Sequence, residues 1–256
     1  MSNSLLKNSL WVYTHKFSTA FITLASTPIL LKNLGVEDYG IYTLTIGLVA
    51  VFNFISWSLT AATQRFIAVS IAKKDDNELV KVFNNSFFIH LLYGILLLLG
   101  ILSLGILFTD SILDIPAKRL NATKYVLTFV SFITFFQMLC VPYQGLLKAY
   151  ENFKVLSILG VTDSIFKLSA ALLLFFAPLD KLVFFSILMF LSNLLIFTFY
   201  AIYTKKKYPK IVLKYAFLSK NMMTKLFSFI SWNILGALAL LGRNQGISVV
   251  LNIFFG

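Results

Sequence analysis

Residues 90–108 read HLLYGILLLLGILSLGILF, nineteen positions without an Asp, Glu, Lys or Arg. A run of this kind fits an α-helix crossing a bilayer, which needs roughly 20 mostly apolar residues to span a core of about 30 Å. In lipid, every backbone amide must be satisfied internally, which leaves helices and closed barrels as the spanning structures. Barrel strands alternate apolar and polar residues over segments of about ten, and this run does not alternate. Six further segments read the same way, so the predicted spans are 9–31, 41–63, 84–108, 124–147, 155–177, 182–203 and 226–254. The connectors between them carry the charges and turn formers, and none is long enough for a soluble domain. Composition agrees: 59% of the 256 residues are hydrophobic and 12% charged, against about 45–50% and about 25% in soluble domains. The expected fold is an all-α, polytopic membrane bundle of about seven transmembrane helices. The first apolar stretch is interrupted by His15 and Lys16 and no small-residue cleavage site follows it, so it reads as a retained helix rather than a signal peptide.

The chain is basic, with a net charge of +12 and a pI near 9.7. Its cations lie between apolar spans, which argues against nucleic acid as a partner. Basic loops stay on the cytoplasmic side of a membrane. With the N-terminus inside, fourteen of the 22 Lys and Arg fall on the cytoplasmic side, five outside (Lys32, Lys118, Arg119, Lys124, Lys181) and three within spans (Lys16, Lys167, Arg243). The expected orientation is N-terminus cytoplasmic. The triplet Lys205–Lys207 reads as a topology signal that can also touch anionic headgroups.

Polar groups inside spans are costly, about 2.5–3.5 kcal/mol for a charge at the bilayer centre on insertion scales, and they usually face a bundle interior or a wet cavity. In the first span, Ser4, Asn8, His15, Thr19 and Ser26 fall within about 60° of one another on a helical wheel, flanked by Lys16 and Thr23. Hydroxyls alone would bond their own helix or glue neighbours; with His15 and Lys16 close by, the face is assigned to a hydrated lumen. Pro28 is a candidate kink. His90, at the start of the third span, reads as an interfacial or satisfied residue. Asp163 and Lys167 in the fifth span are four apart and share a face, either as a self-neutralising pair or as a switchable pair beside a substrate path. In the seventh span Asn233, Arg243 and Asn244 fall within an arc of about 100°, with Gly242 and Gly246 spaced for close helix approach. Arg243 has no acidic neighbour in its span, and its planar fork suits phosphate. The substrate-binding candidates are therefore His15, Lys16, Thr19, Ser26, Asp163, Lys167, Asn233, Arg243 and Asn244.

Nothing in the chain matches a Gly-rich phosphate loop, a G-x-S-x-G elbow or a His/Glu metal spacing. The single cysteine, Cys140, excludes an intrachain disulfide. No cofactor or metal is implied, and the chemistry expected is binding and passage rather than catalysis.

Three segments carry a family resemblance. LGVEDYGIYTL (34–44), TQRFIA (63–68) and PYQGLLKAYENFKVLSI (142–158) resemble, in order along the chain, motifs of the Wzx-type O-antigen and polysaccharide flippases of the multidrug/oligosaccharidyl-lipid/polysaccharide flippase superfamily. The resemblance implies a MATE-like transporter of two lobes, each a structural repeat, with substrate between them. It implies the flipping of undecaprenyl-diphosphate-linked oligosaccharide across the bacterial inner membrane for O-antigen or capsular polysaccharide synthesis. Membrane lipids and other polysaccharide assembly proteins are the implied partners. The expected layout is a six-helix N-terminal lobe (1–204), a basic cytoplasmic linker (205–225) and the first helix of a truncated second lobe (226–256). A shift of 221 residues places Leu5, Trp11, Leu30 and Gly35 on Leu226, Trp232, Leu251 and Gly256, a trace of the repeat. The alternatives are a drug/cation antiporter of the same superfamily, a membrane-embedded polysaccharide polymerase or ligase, and an inactive fragment.

Overall fold

A computed structural model describes the backbone of residues 2–50, 53–111, 115–178 and 180–255; side chains are described over most of this range but not at 2–4, 48, 50, 53–55, 57, 104, 106, 108, 110–111, 237–238 or 240–255. Among the described residues the chain forms seven α-helices and no strand: α1 (Ser2–Ala50), α2 (Asn53–Ala72), α3 (Asp76–Ser111), α4 (Leu120–Ala149), α5 (Phe153–Leu173), α6 (Lys181–Lys207) and α7 (Lys220–Phe255). Single 3₁₀ turns lie at Ala117–Arg119, Leu174–Phe176 and Tyr215–Phe217. Five described stretches are long and apolar enough to cross a membrane: Leu5–Gly47, Asp76–Ser103, Ala117–Ala149, Phe153–Phe176 and Lys181–Lys207. The protein is a polytopic α-helical membrane bundle.

α1 holds the first predicted span, 9–31, and the start of the second, 41–63, which continues into α2. It divides at Gly35, whose φ of 80° and ψ of 170° are non-helical, giving arms 2–34 and 36–50. Glycine adopts a positive φ without the Cβ penalty other residues incur. The sequence predicts a connector over residues 32–40, yet one residue suffices. Glu37 and Asp38 follow the break, and carboxylates in a first turn favour helix restart. Pro28 lies inside the first arm, and the only non-helical dihedrals in α1 are at Gly35.

Helix packing explains two of the motifs. Gly145 of α4 abuts Thr63 of α2, and a Cβ at 145 would lie 2.8 Å from Thr63 Cγ2. Only glycine lets these two backbones approach so closely. Next to Thr63, the Arg65 guanidinium sits 4.4 Å from the Phe229 ring centroid, and Phe66 meets the same ring edge-on at 5.8 Å. These contacts seat α7 on α2.

At the end of the bundle where α1 turns, Arg119 bridges two carboxylates. Its Nε donates to Asp38 Oδ1 at 2.7 Å and a second nitrogen donates to Asp38 Oδ2, while Nη1 donates to Asp180 Oδ2 at 2.5 Å. Asp180 also caps α6, accepting from the backbone N–H of Leu182 at 3.1 Å and of Val183 at 3.2 Å. At the opposite end, the segment between α6 and α7 crosses α3. Asn84 donates to Val212 O and accepts from Lys214 N, both at 2.8 Å. Asn85 donates to Phe217 O and accepts from Ser219 N, both at 3.0 Å. Both asparagines are buried, and Lys210 pairs with Asp76 beside them.

Candidate functional site

A cleft of about 210 Å³ opens between the second arm of α1, α4, α5 and α6. Asp163 and Lys167 of α5 both line it, together with Tyr42, Thr134, Gln137, Ser186 and Asn193. The remaining walls are apolar: Ile46, Val49, Val130, Ile133 and Met189. Among the described ion pairs, none joins Asp163 to Lys167. Gln137 Nε2 donates to Asn193 Oδ1 at 3.3 Å across the α4–α6 boundary. Asn193 also donates to Met189 O at 2.9 Å, and Ser186 and Thr134 bond carbonyls of their own helices at 2.9 and 2.8 Å. Those bonds leave acceptor capacity on the hydroxyls and on the Gln137 carbonyl. The lining thus offers a cation, an anion and several neutral donors and acceptors inside an apolar bundle. Such a surface can replace the water of a polar guest.

Sequence reasoning singles out Asp163 and Lys167 but misses their companions. Tyr42, Thr134, Gln137, Ser186 and Asn193 sit on three other helices, each as an isolated polar residue. Only their convergence marks them, and one helical wheel does not show it.

The first-arm candidates lie elsewhere. α1 docks along α5 through the Trp11 carbonyl, His15 and Asn33. Ser157 donates to Trp11 O at 2.8 Å, and Asn33 donates to Ala171 O at 3.3 Å. The His15 ring packs against Gly160 so closely that no Cβ would fit there. Asn8 reaches Glu151 at 3.4 Å. Thr19 bonds the His15 carbonyl, and Ser26, buried, bonds Thr23 O at 3.0 Å. Lys16 is exposed. None of His15, Lys16, Thr19 and Ser26 lines the cleft.

In α7, Asn233 donates to Phe229 O at 3.1 Å in its own helix. Arg243 and Asn244 belong to α7, and their side chains lie outside the described residues. His90 is fully buried, with Nδ1 2.6 Å from Ser86 O and Nε2 without a partner among the described residues.

Together, the fold and the cleft define a helical membrane protein with polar groups gathered inside the bundle. The sequence profile of the polysaccharide biosynthesis protein family matches residues 5–256, and the chain belongs to this family. Solved structures share its fold. A MATE transporter in the straight conformation superposes with a TM-score of 0.78 at 14% identity, over 98% of this chain and 56% of the other. An outward-facing multidrug resistance MATE family transporter of the MOP superfamily gives 0.75 at 14% identity, over 92% and 52%. A MOP superfamily transporter from Pyrococcus furiosus, described as having a binding pocket of reverse polarity, gives 0.76 at 14% identity, over 92% and 52%. The chain spans just over half the length of these transporters. No curated protein matches its sequence.

Proposed function

We propose that the cleft is the N-lobe half of a transport path for a polyprenyl-diphosphate-linked oligosaccharide, moved from the cytoplasmic to the periplasmic leaflet of a bacterial inner membrane. The observation that carries this reading is the meeting of Asp163 and Lys167 with neutral hydrogen-bonding groups from three other helices in one cleft. A sugar diphosphate is anionic at one end and rich in hydroxyls at the other. Lys167 supplies the charge for a phosphate oxygen, and Asp163, Gln137 and Asn193 supply partners for hydroxyls, while the lipid tail stays in the bilayer. The family and the fold support the reading, as does the excess of basic residues on the side assigned to the cytoplasm. In this scheme residues 1–204 form the first lobe, 205–225 the linker, and α7 opens the facing lobe with Asn233, Arg243 and Asn244 as candidate contacts. The protein acts without catalysis of its own.

Asp163 favours a second reading. An intramembrane carboxylate could also bind a proton, a metal cation or a cationic drug, as an antiporter requires. Pocket polarity differs within this fold, as the Pyrococcus furiosus transporter with its binding pocket of reverse polarity illustrates.

The test is reconstitution of the protein in proteoliposomes with a fluorescent polyprenyl-diphosphate oligosaccharide and, in parallel, a cationic dye. Lys167→Gln is expected to slow flipping about tenfold, the loss of about 1.4 kcal/mol of charge-assisted binding. Asp163→Asn is expected to slow it less. Unchanged flipping in Lys167→Gln removes the phosphate role, and dye exchange abolished in Asp163→Asn establishes the antiporter reading instead.

A further inference from the structure

Where the linker crosses the ends of α3, α4 and α6, it roofs a second cavity of about 420 Å³. Lys205 of α6 and Lys214 of the linker line it, with Phe83, Tyr143, Ala201 and Thr204. The Thr204 side chain is buried, and its Oγ1 has no hydrogen-bond partner among the described residues. A buried hydroxyl left unpaired weakens a structure unless a guest or water meets it. Lys214 is carried on a fixed segment, because its backbone N–H donates to Asn84 Oδ1 at 2.8 Å. The nearby carboxylates are engaged by other lysines, Asp76 by Lys210 and Glu78 by Lys73. Two aromatic rings, Phe83 and Tyr143, share the lining and sit in a wider aromatic cluster. Tyr143 meets Phe83 at 5.4 Å and Phe197 at 6.1 Å, and Phe197 meets Phe136 at 5.6 Å further along α4. The lining combines two cations with apolar and aromatic side chains.

We propose that this cavity binds an anionic glycerophospholipid from the leaflet beside the linker. Lys205 and Lys214 neutralise the phosphate, the Thr204 hydroxyl donates to a phosphate oxygen, and the start of an acyl chain lies against Phe83 and Tyr143. A bilayer lipid, rather than a soluble anion, is the occupant because Lys205 lies in the last turn of the membrane-spanning helix α6 and the two lysines share the lining with Phe83, Tyr143, Ile211, Val212 and Leu213. The site is separate from the Asp163–Lys167 cleft and does not depend on the transport reading.

Native mass spectrometry of the full chain, titrated with phosphatidylglycerol or phosphatidylcholine of identical acyl chains, tests this. Phosphatidylglycerol is expected to be retained in preference. The Lys205→Gln/Lys214→Gln pair is expected to lower its apparent affinity about tenfold or more. Lys206→Gln/Lys207→Gln, the same charge change on adjacent residues that do not line the cavity, is expected to leave affinity within about twofold. Ala201→Phe, which fills the cavity without altering charge, is expected to weaken retention as well, with circular dichroism confirming helicity in each variant. Equal losses in the two lysine pairs would show diffuse surface attraction and overturn the proposal. So would equal retention of phosphatidylcholine, displacement of the lipid by millimolar inorganic phosphate, or full retention in folded Ala201→Phe.

Discussion

At the end of the bundle where α1 turns, three charged side chains hold the helices; at the linker end, two neutral amides hold the chain. The Arg119 clasp is partly open to solvent, with side-chain exposures of 21% for Arg119, 14% for Asp38 and 36% for Asp180. Partly exposed ion pairs contribute modestly and are screened by salt. The Asn84 and Asn85 amides are 4% and 0% exposed, and each gives a donor and an acceptor to linker backbone that has no helix or sheet to pair with. Buried neutral hydrogen bonds respond little to salt or pH, and their loss strands backbone groups. One end is therefore fastened in a way that solution conditions can loosen, and the other in a way that only sequence change can.

Three experiments sharpen or break this contrast. The largest effect is expected from Asn84→Ala/Asn85→Ala, which strands the carbonyls of Val212 and Phe217 and the amides of Lys214 and Ser219. A loss of about 2–4 kcal/mol is expected, measured by thermal unfolding in detergent, with faster tryptic cleavage at Lys210 and Lys214. Arg119→Met is expected to cost about 1–2 kcal/mol, and only this end should respond to salt: 0.5 M NaCl is expected to shrink the difference between wild type and Arg119→Met while leaving that of the asparagine variant unchanged. The smallest effect is in acid. Burial alone would raise the Asp180 carboxyl, but hydrogen bonds from Arg119 and from the Val183 and Leu182 amides outweigh it and hold it below its ordinary 3.8. A carboxyl lowered in the folded state adds stability at pH values above its unfolded pKa and loses it as pH falls through the folded value. Unfolding temperature is therefore expected to fall in acid below about pH 4, and less in Asp180→Asn than in wild type. An equal fall in both would remove Asp180 from the clasp.

The same contrast shows what a sequence makes legible. Continuous apolar runs announce helices, and Gly35 followed by two acidic residues announces a turn and restart. Asp163 and Lys167 are readable as neighbours because both belong to one helix. The direction of the His15, Thr19 and Ser26 stripe is equally readable, but direction does not name what it faces. The structure sets the first arm against α5, where Ser157 and Gly160 receive it, and brings Tyr42, Gln137 and Asn193 to the cleft instead. Asn84 and Asn85 stand at the start of the third predicted span with nothing nearby to mark their role. Their partners are backbone atoms about 130 residues away, and backbone hydrogen-bonding capacity is common to nearly every residue.

Adjacent residues on a helix project about 100° apart, so the amides of Asn84 and Asn85 grip two different stretches of the crossing segment. The segment is bent around α3 like a belt around a post. α7 follows directly from the belt's second fixing point, since Ser219 precedes its first residue, Lys220. The start of α7 is therefore tied to α3 through the belt. Four hydrogen bonds would have to break before the segment leading into α7 could slide past α3, while Phe229 holds α7 itself on α2.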